Sequence, residues 1–144
     1  MADPVRPQDF GLSRLRDTMA MWTENPEVGT PEYMAPELYA VDNNIVTHKT
    51  DVYSFGVLLW AMLSGKRPWE GLKMVVIAYR VNVQKARPPL DAIPPARLPP
   101  KLARLLRQCW DAAPDRRPAA AELVKELLLV REQSARGPAP TAAE

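Results

Sequence analysis

A chain of 144 residues, 47% hydrophobic and 25% charged, has the make-up of one soluble globular domain, which excludes a disordered or fibrous protein and a pair of full domains. Nineteen lysines and arginines against seventeen acidic residues leave a net charge of +2 with no dense basic block, so nucleic acid is not an expected partner. The longest apolar run, Val52 to Leu63, is shorter than the roughly 18 residues a bilayer span needs, so no membrane is expected either.

Cys109 is the single cysteine, which rules out an internal disulfide and a cysteine-rich zinc site. No start resembling a secretory signal is present, and the cytoplasm or nucleus is the expected location.

In chain order, a loop-rich N-terminal third precedes four predicted helices, and strands are nearly absent, so the fold class is mainly α. The first helix runs from Thr50 to Ser64, opening on capping-type residues and stopping at Gly65. Val52, Phe55, Val57, Leu58, Leu59, Trp60, Met62 and Leu63 point round almost its whole circumference. Such a helix belongs at the centre of the domain, covered on all sides. The second helix is predicted over Leu72 to about Lys85.

Six of the 16 prolines fall between Pro88 and Pro100, where fixed φ and missing N–H groups demand an extended or turned connector. Pro100 and Pro118 stand at predicted helix starts, where a missing N–H is harmless. In the third helix Leu102, Leu105, Leu106, Cys109 and Trp110 fall at i, i+3, i+4, i+7 and i+8, a single apolar face. In the fourth, Leu123, Leu127 and Val130 repeat that spacing, with Glu122, Lys125, Glu126 and Arg131 as its polar complement. The Ala/Pro/Gly-rich tail from Gln133 reads as disordered.

Three separated motifs carry the chemistry. Asp9-Phe10-Gly11 alone is weak and could be an Asp/Gly turn. Gly29-Thr30-Pro31-Glu32-Tyr33-Met34-Ala35-Pro36-Glu37 is long and specific. Downstream stand the apolar helix beginning at Asp51 and the pattern Cys109-Trp110-x3-Pro114-x2-Arg117-Pro118. In this order, from Val5 to Arg131, the chain resembles the lower, helical lobe of a eukaryotic protein kinase domain, in the tyrosine-kinase-like group with a serine/threonine-type activation segment. The resemblance implies a partial kinase fold: a lead-in over 1–8, an activation segment over 9–37, a helical lobe over 38–131 and a disordered tail over 132–144.

By that resemblance Asp9 matches the aspartate that holds magnesium against ATP phosphates, a task suited to a hard carboxylate oxygen. Phe10 matches the aromatic that sets active and inactive states, and Gly11 gives the loop freedom to swing. Ser13, Thr18 and Thr23 are candidate phosphoacceptors, Thr23 first among them, where a phosphate could order the loop against arginine. Thr30 corresponds to a hydroxyl that contacts the catalytic aspartate and the protein substrate. Asp51 is similar to an aspartate that bonds backbone of the catalytic loop; a carboxylate is also favoured at any helix N-terminus. Glu37 and Arg117 match the family's buried ion pair. Trp69 and Trp110 read as core anchors and His48 as a solvent-side residue.

A working kinase also needs a Gly-rich loop, a strand lysine, a helix glutamate and a catalytic loop with an aspartate base. None stands in these residues: no two of the six glycines are arranged G-x-G, no His-Arg-Asp occurs, and only eight residues precede Asp9. Pro7 also interrupts the strand expected before Asp9.

The family function is phosphoryl transfer from ATP and magnesium to protein serine or threonine, and the chain alone is expected to be inactive and not to bind them. The first helix would then expose an apolar strip that the missing preceding helix should cover. The expected partners are a protein substrate and the missing upper lobe, supplied upstream or by a complementary chain. The alternative is a non-catalytic scaffold that docks proteins on the Leu72–Lys85 helix and the loop after it.

Overall fold

The computed structural model describes residues 30–39 and 46–137, which hold four α-helices linked by short 3₁₀ turns and no strand. The helices are α1 (Lys49–Ser64), α2 (Met74–Asn82), α3 (Pro100–Cys109) and α4 (Ala120–Ala135). α1 is the hub: it packs on α3, on the turn Pro31–Tyr33 and on the turn Pro114–Arg116, while α4 packs on α3 and α2 packs on the turns before α1.

α1 ends as its sequence dictates, with Gly65 left-handed at φ 69° and its N–H on the Ala61 carbonyl at 2.9 Å. Its start differs from the reading above. The helix begins at Lys49, His48 offers no side-chain cap, and Thr50 is buried inside the first turn with its hydroxyl spent elsewhere.

Nor is α1 covered on all sides. Val52, Tyr53, Val57 and Trp60 are buried, but Leu58 and Met62 stand 46% and 60% exposed on one strip. Leaving such a strip open is unfavourable in water.

α2 is shorter than predicted. Its N-cap is Lys73, and Lys85 adopts φ 54°, which no helix continues through. Pro100 does open α3 at the first helical position, whereas Pro118 lies two residues ahead of α4. α4 also runs on through Gln133, Ser134 and Ala135, residues assigned above to a disordered tail, before Gly137 turns out of the helix at φ 68°.

The core lies where the periodicities place it. Leu102, Leu105, Leu106, Cys109 and Trp110 are all buried against α1, and Leu123 and Val130 close it from α4. The proline-rich connector makes two 3₁₀ turns, Leu90–Ala92 and Pro95–Arg97, and the Trp60 indole N–H donates to the Pro89 carbonyl at 2.8 Å.

α1 and α3 approach closely at Gly56, whose missing side chain makes room for Cys109 and Trp110. Trp69 is a half-buried flank of the core, and His48 is exposed. Burial pushes the Cys109 thiol up to about 11. The folded chain at pH 8 is therefore expected to resist a disulfide reagent until denaturant is added; prompt labelling in native buffer would contradict the packing.

Candidate functional site

Ten residues, Thr30 to Tyr39, form a loop on the surface of the helical body, and prolines at two positions shape it. Pro31 and Pro36 each open a 3₁₀ turn, a place where fixed φ helps and no N–H is needed. The Tyr33 N–H reaches the Thr30 carbonyl at 3.0 Å and the Leu38 N–H reaches Ala35 at 3.0 Å. Thr30 itself is exposed at the loop's leading end.

Side chains then tie the loop down. The Tyr39 hydroxyl donates back to the Pro31 carbonyl at 2.5 Å, and the Ser54 hydroxyl on α1 donates to the Tyr33 carbonyl at 2.8 Å. Neither residue carried a legible signal in the sequence.

The strongest tie is ionic. Arg117 is 1% exposed and Glu37 9% exposed, and they meet in a two-pronged pair, Nη1 to Oε1 at 2.6 Å and Nη2 to Oε2 at 2.8 Å. The Thr50 hydroxyl donates a third bond to Glu37 Oε1 at 3.0 Å. The guanidinium also donates to the backbone carbonyls of Asp111 and Lys49, each at 3.0 Å. Lys49 in turn donates its ammonium to the Arg117 carbonyl.

Burial pulls the Glu37 carboxyl up, but hydrogen bonds from Arg117 and the backbone, the Arg117 charge and Thr50 outweigh it and hold it below its ordinary value. One buried, fully bonded pair thus joins three segments: the loop, the start of α1 and the turn before α4.

Tyr53 sits beside this arrangement, with the guanidinium groups of Arg87 and Arg117 stacked at 5.3 and 5.2 Å from its ring centre. Its hydroxyl is buried and has no hydrogen-bond partner among the described residues. Burial raises its pKa, with the two arginines pulling against that and Glu37 adding to it. The buried hydroxyl adds desolvation cost without a bond, while the ring does the stacking. Tyr53→Phe is accordingly expected to leave thermal stability unchanged or slightly raised; a clear fall in Tm would mean that the hydroxyl is bonded.

The remaining sequence-predicted residues divide. Asp51 is exposed in the first turn of α1 and borders, with His48, Val52 and Phe55, a groove of about 330 Å³ closed by Leu123 and Leu127 of α4. Trp110 is buried, its indole N–H without a partner among the described residues and pressed against Gly56. Asp9, Phe10, Gly11, Ser13, Thr18 and Thr23 lie outside the described residues.

The family model for protein tyrosine and serine/threonine kinases matches residues 3–127, and the chain belongs to that family, with its described part forming helical lobe. A probable serine/threonine-protein kinase of Dictyostelium discoideum is 36% identical over 123 residues, covering 85% of this chain and 13% of that protein. Mitogen-activated protein kinase kinase kinase 10 of Mus musculus is 37% identical over 136 residues, 94% of this chain and 13% of its own length. The serine/threonine/tyrosine-protein kinase HT1 of Arabidopsis thaliana is 37% identical over 123 residues, 85% of this chain and 30% of its own. The chain thus spans less than a third of each of these relatives.

Kinases of this family use ATP and magnesium. Among the described residues no group of three or more His, Cys, Asp or Glu could hold a metal ion, and Asp9 lies outside them. Among the same residues no helix is long and apolar enough to cross a membrane.

Proposed function

We propose that this chain is the activation segment and substrate-facing helical lobe of a protein kinase domain whose complete form moves a phosphoryl group from magnesium ATP to serine or threonine hydroxyls of proteins. Within it, Asp9 is the magnesium residue beside Phe10 and Gly11, and Thr30 is the hydroxyl that meets the protein substrate. Asp51 steadies the catalytic loop, and Thr23, Thr18 and Ser13 are the modifiable positions of the loop. The 144 residues by themselves transfer no phosphate, because they contain neither the catalytic base nor the phosphate-gripping loop.

The observation that carries this reading is the buried Glu37–Arg117 pair, which fixes the segment containing Thr30 against the helical body. Positioning of this kind is most of what a protein does in phosphoryl transfer, where reactants must be held within a narrow geometry.

Two measurements test it. Titration of magnesium ATP into the isolated chain should show no binding; binding that disappears in Asp9→Asn would overturn the inactivity of the chain. A chimera that carries residues 9–131 in place of the equivalent part of the mouse relative should label a protein acceptor on serine or threonine. A chimera that folds and binds ATP but labels nothing would remove the kinase reading.

A second reading, a docking module, is favoured by one observation: α2 and its C-cap turn Val75, Tyr79 and Val83 outward, 71%, 54% and 64% exposed. Single exposed apolar side chains are ordinary, but a row of them one turn apart marks an interaction surface. The two readings are compatible, since a lobe that presents substrate can also hold a partner.

A further inference from the structure

α2 has two faces of opposite character. Ile77 and Val81 are fully buried in the core, while Val75, Val76, Tyr79 and Val83 face solvent. At 3.6 residues per turn these four fall within an arc of about 100°, and Lys73 and Arg80 flank it on one side. Both of these basic residues are exposed, and no aspartate or glutamate occurs between Glu70 and Asp91.

A self-contained surface helix would carry acidic residues among its basic ones and keep valines inside. Here an apolar arc is bordered by two exposed basic residues that form no ion pair among the described residues. That combination is complementary to a partner with an apolar stripe edged by carboxylates. A second copy of the chain meets like charge with like charge at this face and is disfavoured for that reason.

We propose that this face of α2 docks an acidic amphipathic helix of another protein, with Tyr79 as the central anchor and Lys73 and Arg80 pairing with the partner's carboxylates. The proposal rests on the docking reading above and adds the partner's chemistry. A nine-residue helix is about 14 Å long, so the partner lays two to three turns against it in a small, transient contact. A tyrosine at the middle of such a patch dominates affinity, because its ring buries a large area at little entropic cost.

The test is fluorescence anisotropy of the 144-residue chain with a labelled synthetic helical peptide, about 14 residues long, whose leucines follow the i, i+3, i+4, i+7 spacing and whose flanks are glutamate. Sister peptides carry glutamine or lysine at the flanks. The acidic peptide should bind about tenfold more tightly than the lysine peptide, and added salt should narrow that gap. Tyr79→Ala should weaken the acidic peptide about tenfold. Lys73→Glu combined with Arg80→Glu should invert the preference in favour of the lysine peptide, an outcome no loss of folding can imitate.

Equal binding of all three peptides, abolished by Tyr79→Ala, would overturn the acidic partner and leave the docking reading standing. Failure of every peptide with a chain that melts cooperatively would overturn both. Sedimentation with phosphatidylserine vesicles that Tyr79→Ala abolishes would replace the protein partner with a membrane surface.

Discussion

Arg117→Ala is expected to destabilise the folded chain by about 3–5 kcal/mol, the usual cost of stripping one partner from a buried ion pair. The cause is what would be left behind. Glu37, 9% exposed, would keep only the Thr50 and backbone bonds, and the carbonyls of Asp111 and Lys49 would lose the guanidinium that satisfies them.

Set against a total stability of roughly 5–15 kcal/mol for an ordinary domain, that loss should shift a urea midpoint far enough to see in one experiment. Arg117→Lys should recover only part of it, because a lysine keeps the charge but has no fork to match the carboxylate. A midpoint unchanged in Arg117→Ala would mean that the pair is solvated in solution.

Acid provides an independent check with a definite sign. The Glu37 carboxyl is held below its unfolded value, which is about 4.3, so its contribution is complete above that pH and is lost as pH falls through the folded value. Glu37→Gln should flatten that part of the stability curve, and an equally steep acid limb in the variant would assign the slope to other carboxylates.

Gly56→Ala is the second large effect, and its direction runs against the ordinary rule. In an exposed helix interior this exchange stabilises by up to about 1 kcal/mol. On α1 the new Cβ would lie 2.7 Å from the Cys109 Cβ and 2.8 Å from the Trp110 indole nitrogen. The Cys109 Cβ is fixed to the α3 backbone and cannot swing aside, so the two helices must part. Overpacking of that kind costs about 1–3 kcal/mol, and a larger residue such as leucine more. Differential scanning calorimetry should show a lower Tm for Gly56→Ala; an unchanged or higher one would mean that α1 and α3 stand further apart.

How much of this was legible in the sequence depended on whether a signal was local. The core faces of α3 and α4 and the Gly65 stop of α1 follow from spacing and backbone stereochemistry alone, and those elements stand where their residues dictate. Thr50 shows the opposite case. Its type suits a helix cap, but a buried carboxylate 13 positions earlier competes for its hydroxyl and wins, so the cap reading fails.

Apolar content made α1 read as a helix that needs cover on every side, and the apolar strip expected to lie open without a preceding helix is seen at Leu58 and Met62. Gly56 did leave a trace, a glycine in the middle of an apolar helix, which signals close approach but not of what. The loop's lesser fasteners, Ser54 and Tyr39, left none, since a hydroxyl donating to a distant carbonyl follows no periodicity.

The pair that fixes the loop also spans most of the chain. Glu37 and Arg117 are 80 positions apart, so their meeting closes a long circuit of chain, for which the entropy term alone is about 4 kcal/mol. A ribosome must therefore deliver almost the whole helical body before the latch can engage, and until then a carboxylate destined for burial waits in water.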